Sequence, residues 1–261
     1  MMETIQFPKV AETNVLFGGF LGTKHVAPQY KALVNPDTNN VYGITKKSYQ
    51  LIKHEHALEM VVDSVKQVPE YGHPIFHTPN FYCDGARMKT QVSFPEVETE
   101  FLPGDKLQPQ LEIYNSYDGA WKFEIIFSAM RLICTNGLRG RKQESCIIKK
   151  HTKSLNTFYI QESLKKGLED FSEQNKIWSS WVDQQIELSK AQRYISNMTF
   201  NKTETKELIK QTEVSSGLNI KDTVAYVNLW LFYNIITQYL THNIKSENRR
   251  RFLYQKLIET F

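Results

Sequence analysis

Apolar and polar positions alternate with period two on both sides of one turn signal. Before it, Leu111, Ile113 and Asn115 alternate with Glu112, Tyr114 and Ser116; after it, Trp121, Phe123, Ile125 and Phe127 alternate with Lys122, Glu124, Ile126 and Ser128. Tyr117-Asp118-Gly119 separates the runs, and Asp-Gly suits a tight turn because Gly119 takes positive φ without a Cβ clash. The stretch 110–140 therefore predicts a β-hairpin of half-buried strands, leading to a short segment around Arg131, Cys134 and Asn136. Another alternating run at 86–94 ends at Pro95, and Pro103-Gly104-Asp105 reads as a turn. Residues 80–134 are thus expected as a meander of three or four antiparallel strands. Upstream, residues 1–40 are turn-rich, and Asn39-Asn40 predicts a hairpin whose returning strand is 41–44. Ser48 is a candidate cap for a helix holding Tyr49, Ile52, His56, Met60 and Val65 and ending near Pro69.

After Ser154 the spacing changes to three and four. Ile160, Leu164, Leu168, Phe171, Trp178, Trp181 and Val182 predict one long amphipathic helix. Further helices are expected over 185–198, over 205–213 with Asn201 or Thr203 as cap, over 224–243 with Asp222 and Thr223 as caps, and at the C-terminal end. The expected fold is α+β: an antiparallel β-meander with a central hairpin in residues 1–155, packed against a helical half, 156–261, in one continuous domain.

Composition narrows the class without naming an activity. Hydrophobic residues make up 41% and charged residues 23%, ordinary for a globular protein, and the net charge of +4 is too mild to argue for nucleic acid by itself. Three cysteines, Cys83, Cys134 and Cys146, form no CxxC pair, which fits a reducing compartment better than a disulfide scaffold. The opening MMETIQFPKVAETN lacks the layout of a signal peptide, and Asn228, Asn234, Thr237 and Gln238 interrupt the most apolar run. The expectation is a cytoplasmic protein with no membrane contact.

Charge becomes informative where it clusters. Arg139, Arg141, Lys142, Lys149, Lys150 and Lys153, with His151, stand against Glu144 alone directly after the hairpin. Such a run either contacts phosphates or is a solvated loop. Single-strand binders add rings on which bases stack, and Tyr117 and Trp121 on the hairpin are the candidates, with Tyr117 at the turn tip expected to be exposed. The competing reading places these rings in the core. Arg249-Arg250-Arg251 is either a solvated helix face or a second contact. Cys134 with a base such as His151 or His77 is the candidate for nucleophilic chemistry, but no signature flanks it, and Cys is commonly a small buried hydrophobe. His54-x-His56, and His73 and His77 with Cys83, lack the spacing of zinc ligands. Neither GxxxxGK[ST] nor a helix-opening GxGxxG is present, which argues against an ATP-driven motor. Neither a cofactor nor a catalytic set is expected.

NSYDGAWKF at 115–123 followed by RLICTNGL at 131–138 resembles the phage/plasmid-like domain-of-unknown-function 932 family. The resemblance rests on the Asp118-Gly119 turn and on Arg131, Cys134 and Asn136 in an Arg-x-x-Cys-x-Asn element. The stretch around 41–58 and the helix through Asn234, Tyr239 and His242 are also similar, so the likeness extends over about 25–250. It implies an accessory protein of phages or mobile plasmids. By association it implies ATP-independent single-strand binding or annealing with self-assembly, of the RecT/Redβ/Erf kind, in the bacterial cytoplasm. On that reading Arg139, Arg141, Lys142, Lys149, Lys150 and Lys153 hold phosphates and Tyr117 and Trp121 stack bases. Asp118, Gly119, Arg131, Cys134 and Asn136 then build the frame. The alternative is a virion component or an inhibitor of a host defence complex that binds no nucleic acid.

Overall fold

The computed structural model describes residues 5–19, 22–139, 147–149, 157–216 and 225–261. In chain order the first elements are β1 (Ala11–Gly18), β2 (Lys24–Val34), β3 (Val41–Lys46) and α1 (His54–Lys66). Six strands follow: β4 (Ile75–Phe76), β5 (Asn80–Tyr82), β6 (Arg87–Ser93), β7 (Thr99–Leu102), β8 (Asp105–Ser116) and β9 (Phe123–Arg131). Then come β10 (Asn136–Leu138), β11 (Ile147–Lys149), α2 (Thr157–Trp181), β12 (Gln185–Glu187), α3 (Leu188–Asn197) and α4 (Lys202–Ser215). The chain closes with β13 (Tyr226–Asn228), α5 (Leu229–His242) and α6 (Glu247–Thr260). The strand pairings among the described residues are antiparallel, strands concentrate in the first half and helices in the second, and the fold is α+β.

Two compact units are drawn from interleaved segments. The first comprises Met1–Glu96, Gln110–Phe127 and Glu144–Gly167; the second comprises Val97–Pro109, Ser128–Gln143 and Leu168–Phe261. In the first, β1, β2 and β3 form a separate three-stranded sheet, while β6 pairs with 110–116 of β8, and β4 and β5 pair with β6. The small core Leu33, Tyr42, Ala86 and Tyr117 lies under the three-stranded sheet. Helix α1 buries Ala57, Met60, Val61 and Val65, a three-and-four spacing that makes one apolar stripe. Gly167, inside α2, is fixed by packing: a Cβ there would lie 2.1 Å from the Phe127 ring.

The second unit is mostly helical. Its core gathers Trp178, Trp181, Ile195, Leu208, Trp230, Phe232, Tyr233, Ile236, Leu240, Leu253 and Leu257. Helix α5 supplies the largest share, and burying such side chains is worth roughly 1.5–3 kcal/mol each. Asn201 opens α4 with a reciprocal capping box with Glu204, at 2.9 and 2.8 Å, as its sequence position predicts. The β7–β8 hairpin turns at Pro103 and Gly104, where Gly104 has φ 81°.

Four expectations need correction. Strand β8 is buried on both faces from Leu107 onward, so Gln110 and Glu112 lie inside although an alternating strand predicts an open face. Helix α1 starts at His54, and Ser48 is not its cap. Residues 185–187 form a strand rather than the start of a helix. Helix α5 begins at Leu229, capped by Asn228, which accepts from the Leu231 amide at 3.0 Å; Asp222 and Thr223 lie outside the described residues.

Candidate functional site

The Arg-x-x-Cys-x-Asn element is the frame of the second unit. Arg131 grips the buried carboxylate of Asp105 with two parallel bonds, Nε to Oδ1 at 2.7 Å and Nη2 to Oδ2 at 2.6 Å. Burial disfavours the charged guanidinium, but the Asp105 carboxylate outweighs it, and Arg131 stays charged even more firmly than usual. The same guanidinium lies 5.7 Å from the Trp230 ring centre, and Nη1 donates to the Cys134 thiol at 3.7 Å. Thr135 turns the chain with φ 51°, after which Asn136 pairs with Arg131 across β10 and β9. His242 contacts the Cys134 carbonyl at 3.1 Å, so its imidazole meets main chain rather than the thiol. Tyr254 donates to the Gly137 carbonyl at 2.6 Å and Thr241 accepts from the Gly137 amide at 3.1 Å. These contacts tie a hairpin to helices; they do not form a nucleophile–base pair.

The turn of the central hairpin belongs to the first unit and has a second role. Gly119 has φ 74°, and Asp118 accepts from the Ala120 amide at 2.9 Å and from Arg87 Nε at 2.6 Å. The expected exposed ring of Tyr117 is instead 1% exposed, and Trp121 is buried against Tyr114, 5.5 Å between ring centres. Tyr117 is held inside because its hydroxyl accepts the first-turn amide of α1, His54 N, at 2.9 Å. The His54 ring stacks on it at 3.9 Å, and burial pushes the phenol well above its ordinary range. His54 itself is fully buried, with ring nitrogens 3.1 Å from the Gly85 carbonyl and 3.0 Å from the Asn115 amide nitrogen. Neither ring offers a free face for stacking.

The basic run divides. Arg139 is buried with its guanidinium 4.7 Å from the Tyr254 ring centre, and its main chain exchanges bonds with the Tyr233 hydroxyl. It is therefore a packing cation and not the surface contact expected of it. Lys149 falls in β11, opposite Phe123, while Arg141, Lys142, Lys150 and Lys153 lie outside the described residues. Arg249 and Arg250 are engaged by Glu204 and Glu247. Among the described residues no group of three or more His, Cys, Asp or Glu side chains is placed to hold a metal, and no helix is long and apolar enough to cross a membrane.

A surface the sequence pattern did not single out carries both rings and cations. The sheet β1–β2–β3 leaves Phe17, Tyr30, Val41 and Ile44 exposed. Tyr30 pairs directly with Lys46, and Phe17 pairs with His25 at 5.7 Å between rings, so each pair shares a face. Over residues 9–47 five lysines stand against Glu12 and Asp37. Both acids are already used, by Lys31 at 2.7 Å and Lys9 at 3.0 Å, leaving Lys24, Lys46 and Lys47 without an ion pair among the described residues. Between Asn14↔Lys31 and Leu16↔Val26 the register slips, so 27–30 of β2 face Val15 alone; Pro28, which has no amide to donate, falls in this bulge.

The fold is thus an α+β protein whose signature element frames one unit. The family model described as domain of unknown function (DUF932) matches residues 41–256, and the chain belongs to that family. No curated protein and no solved structure matches it.

Proposed function

We propose that the protein binds single-stranded nucleic acid without ATP, using the outer face of β1–β2–β3 as a stacking and phosphate-binding surface. One observation carries this reading: exposed Tyr30 and Phe17 sit opposite Lys46 and His25, next to lysines with no acidic partner among the described residues. Sequence-tolerant single-strand binding combines an aromatic platform, at roughly 1–3 kcal/mol per stacked base, with cations that follow the backbone. The run Arg141, Lys142, Lys150 and Lys153 is proposed as a second phosphate track, as the charge pattern of the sequence suggests. Annealing with self-assembly, in a phage or plasmid setting, extends the same proposal.

The test is the salt dependence of affinity for a fluorescent oligothymidylate. Reversing Lys24, Lys46 and Lys47 to Glu removes three cations, and for single strands this should reduce the log–log slope by about 2. An unchanged slope excludes the sheet as the binding face.

Leu16, Val26, Val41 and Ile44, exposed on the same sheet, favour a second reading, that of a structural or host-interaction protein. Under it, Ile44→Asp abolishes capture of a protein partner, while oligonucleotides never bind.

A further inference from the structure

A cavity of about 410 Å³ in the first unit is lined by Val41 and Tyr42, by Cys83 and Asp84, and by Arg87 and Asp118. That volume lies within the range of small-ligand pockets, roughly 300–1,000 Å³. Its rim is a backbone of uncommon shape. Cys83, Asp84 and Gly85 have φ of 52°, 54° and 90°, three left-handed residues in succession. Such conformations are costly for residues with a Cβ and persist only where neighbours enforce them. Here the enforcement is visible: Gly85 N donates to the Tyr82 carbonyl at 3.2 Å and Ala86 N to the Cys83 carbonyl at 3.0 Å. The His54 ring holds the Gly85 carbonyl at 3.1 Å, and a Cβ on Gly85 would meet Pro8 at 2.6 Å.

The turn and the first residue of β6 bring two charged groups to the cavity, Asp84 and Arg87, the second also 5.7 Å from the Trp121 ring centre. The Asp84 carboxylate has no hydrogen-bond or ion-pair partner among the described residues. Arg87 uses Nε on Asp118 at 2.6 Å, which leaves its two terminal nitrogens without a hydrogen-bond acceptor among the described residues. Val41, Tyr42 and Ala86 supply apolar wall between them. A ligand that uses both groups offers two donors to the carboxylate and two acceptors to the guanidinium. Among the common bases guanine alone has that layout: N1–H and N2–H₂ suit a carboxylate, and O6 and N7 suit a guanidinium. We propose that this cavity takes one unpaired guanine, read by Asp84 and Arg87. The proposal rests on the single-strand reading above and adds a base preference to it.

Cys83 is exposed and lines the cavity, so an occupant shields it. The experiment alkylates the native protein with iodoacetamide and quantifies Cys83 by peptide mapping, in the presence of GMP, AMP, CMP or glycine. In parallel it measures affinity for oligothymidylate with and without one internal guanine. GMP is expected to protect Cys83 where AMP, CMP and glycine do not. Loss of a bidentate base contact corresponds to about tenfold or more, so Asp84→Asn, an exposed position that leaves the fold intact, should weaken GMP protection by at least that factor. Protection by glycine or by all three nucleotides alike overturns the proposal. So does oligothymidylate binding that gains nothing from guanine while GMP leaves Cys83 reactive, and in that case the sheet reading stands. GMP protection that depends on Asp84, with no oligonucleotide bound, upholds the guanine site and removes the sheet reading.

Discussion

Tyr30 on β2 and Lys46 on β3 are direct cross-strand partners, and both are open to solvent. Tyr30 lies at the end of the stretch in which β2 slips register against β1, where 27–30 of β2 share the single β1 residue Val15. A ring and a cation are thereby held side by side on a rigid element. Tyr30→Ala should weaken oligothymidylate binding by about 1–3 kcal/mol while leaving the melting temperature nearly unchanged, since the ring is already exposed. Fluorescence anisotropy alongside thermal melting checks both halves of that statement.

Arg131 and Asp105 make the opposite kind of pair. Their contact is bidentate and largely buried, and removing one partner leaves an uncompensated charge inside. Arg131→Met should cost about 3–5 kcal/mol in denaturant unfolding, whereas Arg131→Met with Asp105→Leu should recover much of the loss. A single variant as stable as the parent contradicts the framing role given to the signature element.

Gly167 carries a prediction whose sign differs from helix propensity alone. Alanine in its place should gain up to about 1 kcal/mol as a helix former. The Phe127 ring occupies the position of the added Cβ, so Gly167→Ala should instead destabilise by about 1–3 kcal/mol. In a Phe127→Ala background the same change should be neutral or stabilising. Urea unfolding of the four proteins measures this coupling.

Alkaline pH probes the buried phenols. Burial raises Tyr49, Tyr71, Tyr117 and Tyr233 far above their ordinary range, and burial together with Glu207 pushes Tyr239 up to about 12. A raised folded pKa means the native state holds its proton more tightly. The associated stability is complete below about pH 10 and declines as pH rises beyond it, because the unfolded chain ionises first. Melting temperature should fall above pH 10. Tyrosinate absorbance should show these rings ionising only with unfolding.

The hairpin, its Asp118-Gly119 turn, strand β6, helix α2 and the Asn201 cap were all legible, because one face of each element is apolar or its cap is a local hydrogen bond. Strands β1 and β2 were not. Apart from Ala32 and Leu33 at the end of β2 their burial is low on both faces, so little period-two contrast marks them, and the stretch reads as turn-rich. The start of α1 was hidden for another reason: its amide partner is the Tyr117 hydroxyl, more than sixty residues away in sequence. That contact also explains why a ring at a turn tip is buried. Arg131 and Asn136 stand out in the sequence as motif residues, but Asp105, the partner of Arg131, sits beyond a turn and carries no local signal. The rings and lysines of β1–β3 escaped notice because scattered single residues form no motif until pairing sets them side by side.

The most direct measurement is ultraviolet cross-linking of the full chain to a single-stranded oligothymidylate, with the modified peptides mapped by mass spectrometry. Cross-links are expected at Tyr30 and Phe17, lost in competition with unlabelled single strands but not with duplex. Cross-links confined to other peptides, or no cross-link at low salt, would contradict the proposed binding face.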